Sequence, residues 1–170
     1  MATKMLNPNT TLIVVPESLI VNPSSPSIAI LNGSNAINIS CAVTRGYTMN
    51  PTDSDTDDTA SICDTGNIQN RLFDNYEGEF TLFRDANSAD ATSIYNIAFD
   101  FFKNPDVRFF VYRRVGKKST VAIAAGDQVE GFLFLNDRTR SVDGGDAGPI
   151  QFTIPLLAQG NYTGYVVAVA

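Results

Sequence analysis

Glu77 and Glu79 are the nearest thing to a carboxylate pair in this 170-residue sequence. On an extended strand they share one face about 7 Å apart, and could in principle work as an acid and a base. Alternating acids on a strand are also the ordinary make-up of a solvated face. A second group is denser: Asp53, Asp55, Asp57 and Asp58 fall within six positions. The first three match the opening ligands of a helix-loop-helix calcium loop, with Asp64 at its twelfth position. The sixth position, where such a loop turns on glycine, is Asp58, and no helical pattern flanks it. A solvated acidic loop is therefore expected in place of a metal site. Opposite in sign, Arg113, Arg114, Lys117 and Lys118 gather around a turn at Gly116. They could hold a phosphate, pair with acids of another chain, or stand in solvent at a hairpin tip.

What is missing narrows the chemistry further. The chain has no histidine, so it cannot build a Ser-His-Asp or Cys-His arrangement, and the commonest base at neutral pH is absent. Two cysteines without histidine are too few for a closed zinc site. No glycine-rich phosphate cradle of known spacing is present. Neither an enzyme nor a cofactor is expected. A formal charge of −6 and a pI near 4.5 argue against duplex nucleic acid or an anionic membrane as a tight partner. No basic start leads into an apolar run, and no stretch of about 20 apolar residues occurs, so neither export nor membrane anchoring is expected. Cys41 and Cys63 could pair by count, although a cytosolic origin favours free thiols.

The elements that would position these groups centre on one helix between Asp90 and Asn104. Ile94, Tyr95, Ile97, Ala98, Phe99, Phe101 and Phe102 cover roughly 200° of its surface, leaving Ser93, Asn96, Asp100 and Lys103 on the remainder. Ser88 or Asp90 could cap its start, and Pro105 forbids continuation. The flanking runs Tyr76 to Arg84 and Val107 to Val115 are rich in aromatic and β-branched residues, as strands are.

Before the helix, Thr11 to Val21 and Ser27 to Leu31 read as extended, with Pro16 marking an edge or a break. From Ala36 to Thr44 the alternation predicts a strand with Ile37, Ile39, Cys41 and Val43 on its apolar face. From Arg45 to Asn75 the pattern stops, and a polar run this long is usually functional or mobile. After the helix, Thr120 to Ala125 could return as the partner of Val107 to Val115. Gln128 to Arg138 is apolar on both faces, as in a strand covered twice. Arg138 to Gly148 reads as a flexible connection. Ile150 to Ile154 and Tyr162 to Val169 would form a hairpin turning at Gln159 to Asn161. About eight strands and one helix predict an antiparallel β-sandwich or half-open barrel in one domain, residues 1–170, with a long polar loop or hairpin at about 45–75. The uncharged run at the C-terminus is an edge that needs cover, from within or from another subunit.

Taken in order, TLIVVPESL, INISCAVTRGYTMNPTDSDTDD, ICDTGN and NYEGEFTLFRD resemble the major tail tube proteins of long, non-contractile-tailed bacteriophages, especially those of actinobacteria. SIYNIAFDFFK, VYRRVGKKS and PIQFTIPLLAQG fit the same family in the same order, so the resemblance spans nearly the whole chain. It implies a structural virion protein: a β-sandwich with one flanking helix, assembled into hexameric rings that stack into a tube. DNA would pass through the lumen without specific binding, repelled by a negative wall. A tape measure protein, a tail terminator and distal tail proteins would be its other partners, in a virion tail assembled in the host cytoplasm. The segment matching the family's reaching loop is Arg45 to Asn75. Its candidate inter-subunit contacts are Arg45, Tyr47, Asp53, Asp55, Asp57 and Asp58, met by Arg113, Arg114, Lys117 and Lys118. A non-enzymatic surface-binding or head-decoration module would share the fold and the missing catalytic groups.

Overall fold

The structure is a computed structural model that describes residues 9–59, 63, 66, 69–142 and 148–170. In chain order its elements are β1 (Thr10–Pro16), a 3-10 turn (Glu17–Leu19), α1 (Ile28–Leu31), β2 (Ile37–Asn38), β3 (Thr48–Asp57) and β4 (Asn70–Phe83). Then follow α2 (Ile94–Phe102), β5 (Arg108–Val115), β6 (Gln128–Asn136), β7 (Arg140–Val142) and β8 (Gln151–Val167). The strands make one eight-stranded sheet in the order β2-β1-β5-β6-β8-β4-β3, with β7 pairing β8 beside that path. Every named strand pair is antiparallel. The mainly antiparallel β fold expected from the sequence is therefore the one observed.

Two clusters follow from the period-2 alternation along the middle strands. Leu12 and Val14 of β1, Phe109 and Val111 of β5, Phe132 and Phe134 of β6 and Phe80 and Leu82 of β4 pack together on one face. From the opposite face, Ile13, Val15, Phe110, Tyr112 and Leu133 pack against Leu31 of α1 and Ile123. β1, β5 and β6 are thus covered on both faces, which is why β6 reads as unbroken apolar sequence. The irregular stretch after β2 links β1 to β4. Ile39 N–H donates to Leu12 O of β1, while Phe83 N–H donates to Ala42 O and Thr44 N–H to Thr81 O, tying that stretch to β4.

Several expected elements differ. Ala36 to Thr44 is a strand only at Ile37–Asn38; beyond it the backbone turns, burying Ile39 and Ala42 and leaving Cys41 exposed, not on an apolar face. Cys41 is a free thiol, so no bridge joins it to Cys63. Ser27 to Leu31 is a one-turn helix, not extended: the Ser27 hydroxyl caps it, and Leu31 fills the second cluster. Pro16 ends β1 without placing it at an edge, because β2 and β5 flank that strand. Thr120 to Ala125 forms no strand, and β5 pairs instead with β1 and β6. The connection after Arg138 carries the short strand β7, while residues 143–147 lie outside the described residues.

Helix α2 is shorter than the Asp90 to Asn104 expectation. Its N-cap is Ser93, not Ser88 or Asp90; Asp90 instead accepts from the Thr92 N–H and hydroxyl. Asn96, expected on the wet side, is buried because its amide donates to Asn87 O and Asp90 O and pins the preceding loop. Ile97, expected inward, is 37% exposed. The helix end is held from β6: Asn136 Nδ2 donates to Phe102 O and Asn104 O, and its Oδ1 accepts from Val107 N–H. One buried amide thereby satisfies a helix terminus and a strand start together.

Candidate functional site

Within residues 45–75, where a long polar loop or hairpin is expected, the described residues include β3 and the start of β4, which pair as a long two-stranded arm. Thr48 pairs with Glu79, Asn50 with Glu77, Thr52 with Asn75 and Asp57 with Asn70, with irregular register around Asp55. Asp53, Asp55, Asp57 and Asp58 are all exposed along it. Asn75 Nδ2 donates to Asp55 Oδ1, and the Thr59 N–H and hydroxyl donate to Asp57, lowering that carboxyl's pKa from its ordinary value. Among the described residues, no three acidic or cysteine side chains gather as a metal site would. Asp64 lies outside the described residues. Glu77 and Glu79 face solvent on the outer side of β4.

The arm concentrates charge. Residues 48–79 hold eight of the chain's 18 acids and one of its 12 basic residues, a formal −7, while the remainder of the chain carries +1. The arm also exposes two large apolar side chains, Leu72 and Phe73, the latter 68% accessible and opposite Asp55 in the ladder.

β8 was expected to be a hairpin turning at Gln159 to Asn161. It is one 17-residue strand, and Gly160, which suggested the turn, sits in a bulge. Its first half pairs with β4 from Gln151 to Leu156, and its second half with β6 as far as Val167. Between Ala158 and Tyr162 it carries two residues more than β6 does between Phe134 and Phe132, and Gly160 there adopts φ 72°. The buried Tyr76 of β4 fills the gap. Its hydroxyl donates to Leu133 O and accepts from Gln159 N–H (2.9 Å) and Asn161 N–H (3.2 Å). Burial raises the Tyr76 pKa, so this hydroxyl stays protonated as the donor role requires. At the second bulge, Gly164 takes φ 64° and the Thr163 hydroxyl accepts from Gly131 N–H.

Past this point β4 and β8 part. Among the described residues, β8 beyond Leu156 is paired by strand only with β6, and β4 before Gly78 only with β3. Each presents one strand edge without a strand partner, and β8 exposes Leu157, Tyr165 and Val167 beside it. The extreme end is covered internally, since Val169 exchanges backbone bonds with Pro26 and Ile28.

The basic cluster does not stand together in solvent. Arg113 is mostly buried: its guanidinium pairs with Glu130 (2.5 Å) and donates to Met49 O (2.7 Å) at the root of the arm. Burial works to lower its pKa, but the Glu130 carboxylate, with Tyr47 nearby, raises it above the ordinary value. The second oxygen of Glu130 accepts from the Tyr162 hydroxyl, so β3, β5, β6 and β8 meet at one polar knot. Arg114 is 2% exposed and points to the other face, donating to Asp127, to the Thr11 hydroxyl and to three carbonyls of residues 118–122. Lys117 also pairs with Asp127. Against the cost of burial, Lys117 first, then Ala124 N–H and Arg114, hold that carboxyl down at about 2. Of the four cations, only Lys118 is exposed without an ion pair among the described residues; Arg45 is likewise exposed and unpaired. Sequence reasoning did not single out Tyr76, Glu130, Asp127 or Asn136; glycines spaced along an otherwise apolar strand were the only signal for the bulges.

Arg45 and Tyr47 line a cleft of about 430 Å³ with Thr10, Leu12, Ser40, Val43, Thr44 and Phe83, at the seam between β1 and β4. The Gly116 turn is tethered beside it, since Gly116 N–H donates to Asn9 O and Asn38 Nδ2 donates to Ser119 O.

No helix among the described residues is long and apolar enough to cross a membrane. No curated protein matches the chain by sequence. The fold is similar to that of a chain in the 6-fold symmetrised cryo-EM structure of the anti-feeding prophage (AFP) baseplate. The TM-score is 0.54 at 12% sequence identity, with 95% of each chain covered. The model of the phage tail tube protein family matches residues 1–170, and the chain belongs to that family.

Proposed function

We propose that this chain is the repeating subunit of a phage tail tube, joining its own copies side by side into hexameric rings that stack with DNA passing through the lumen. The observation that carries this is the parting of β4 from β8, which leaves two strand edges and an exposed Leu157, Tyr165 and Val167 within one subunit. A monomer that stayed a monomer would blunt such edges with charge or cover. Family membership supports a structural role in the tail, and the fold's likeness to a chain of a 6-fold assembly supports a ring. The subunit works by contact and not by catalysis. Its further partners are the proteins that end and gauge a tube: tape measure, terminator and distal tail proteins. It is built into the virion tail from the host cytoplasm, in a phage with a long non-contractile tail. Arg45, Tyr47, the four arm aspartates and Lys118 remain its contact residues, whereas Arg113, Arg114 and Lys117 act indirectly, by holding the arm's root and the β5–β6 connection.

Negative-stain electron microscopy of the purified, concentrated protein tests this. Open-ended hollow tubes of indefinite length are expected, because a head-to-tail contact that also stacks does not close. A monodisperse monomer or a single closed oligomer at all concentrations would overturn it in favour of a surface-binding module.

A further inference from the structure

We propose that Asn32 is a latent modification site: a deamidation site that the fold keeps closed and that opens when the loop at residues 118–124 comes away. The site is independent of tube assembly.

Asn32-Gly33 is the only Asn-Gly pair in the sequence. Gly33 carries no side chain to shield its amide nitrogen, so ring closure onto Asn32 is as unhindered as the chain allows. In an open chain a base takes the Gly33 N–H proton, and the nitrogen bonds to Asn32 Cγ. The side-chain nitrogen takes up a proton and leaves as ammonia, and a succinimide remains. Water opens the ring at either carbonyl, giving aspartate or isoaspartate at position 32. Nothing is oxidised or reduced.

The folded chain blocks the first step at three points. The Asn32 amide is held at both ends: Nδ2 donates to Ile123 O (2.8 Å), and Oδ1 accepts from Ile123 N–H (3.0 Å). Gly33 N–H is itself engaged, donating to Ile30 O (3.1 Å). Asn32 also has ψ 3°. That angle places the Gly33 nitrogen about 120° around the Cα–C bond from Cβ, whereas a five-membered ring needs it beside Cβ.

The fold requires both residues of this fragile pair. A Cβ on Gly33 would stand 2.8 Å from Ala29 O, and a side-chain amide can both donate to and accept from one residue's backbone. Ile123, whose backbone is held, packs in the second apolar cluster. Aspartate at position 32 would keep the acceptor and lose the donor, so conversion weakens the hold on this loop. Asn32 is on the exposed side of the clasp, where water reaches it.

The test follows position 32 of the full-length protein by peptide mass spectrometry in mildly alkaline buffer, folded and in denaturing urea. In urea, Asn32 should convert ahead of every other asparagine. In the folded protein its conversion should be about 10-fold or more slower, because the native rate follows the fraction of chains open at this loop. Equal rates in the two conditions would overturn the protection, and faster conversion of another asparagine in urea would overturn the assignment. Asn32→Asp supplies the product directly. Its amides at residues 119–124 should exchange hydrogen about 3-fold or more faster than in the wild type, while those of β5 and β6 keep their rates. Unchanged exchange at residues 119–124 would show that the Asn32 donor does not hold the loop.

Discussion

The Tyr76 hydroxyl sits in the gap that Gly160 opens, where β8 swings out from β6. A bulge of two extra residues orphans one carbonyl and two N–H groups, and a single oxygen on a neighbouring strand satisfies all three. Packing against Phe132, Phe134 and Tyr162 fixes the ring and with it the position of the hydroxyl. The bend redirects β8 away from β4 and leaves both strands with an edge that no strand pairs among the described residues.

Tyr76→Phe keeps the ring and removes that oxygen. Buried polar groups left without partners should cost about 1–3 kcal/mol in urea unfolding. Tyr112→Phe, which removes one bond to Pro23 O, should cost less than that. Equal losses at the two positions would mean that water replaces the Tyr76 hydroxyl without penalty.

Helix α2 is held through Phe102, which is fully buried, and not through Ile97. Phe102→Ala should lose about 3–5 kcal/mol, as core aromatic truncations do. Ile97→Ala should stay within about 0.5 kcal/mol. Phe101, partly buried at the edge of the same cluster, should fall between. Equilibrium unfolding of the three variants checks the order.

Asp127 should make stability depend on acid. Lys117 and Arg114 help hold its folded pKa at about 2, below the ordinary value of about 3.9 for an unfolded aspartate. A depressed carboxylate contributes fully above the unfolded value, and its contribution vanishes as pH falls through the folded one. At neutral pH, Asp127→Asn should cost about 3–5 kcal/mol because the buried Arg114 loses its counter-ion. Between about pH 4 and pH 2 the gap between variant and wild type should shrink. A gap that is constant across this range would place the cost in packing.

Tube growth should slow as salt rises. The arm carries −7, while the rest of the chain carries +1 and exposes Arg45 and Lys118. Attraction between unlike surfaces weakens as the screening length falls from about 10 Å at 0.1 M salt to about 3 Å at 1 M. Light scattering of growing tubes at several salt concentrations measures this. Faster growth at high salt would show that repulsion between arms dominates.

The strands of the middle sheet were legible in the sequence because burial on both faces leaves a continuous apolar signature, as in Phe109 to Tyr112 and Phe132 to Leu135. The helix was legible from its period, and the missing catalytic inventory from composition alone. Three things were not. Ile37 to Val43 alternates like a strand, but Ile39 and Ala42 are drawn inward by different neighbours, and only the closing seam decides that. The arm contains few apolar residues, so its strands leave no periodic trace; they form because β3 and β4 satisfy one another's backbone. The glycines of β8 mark a turn as readily as a bulge. The choice between them lies with Tyr76, more than 80 residues earlier in the chain, which no local pattern reports. Arg113 and Arg114 are neighbours in sequence, yet alternation sends one to Glu130 at the arm's root and the other to Asp127 on the opposite face. Composition fixes how much charge a chain has, but only the pleat decides which side of the sheet receives it.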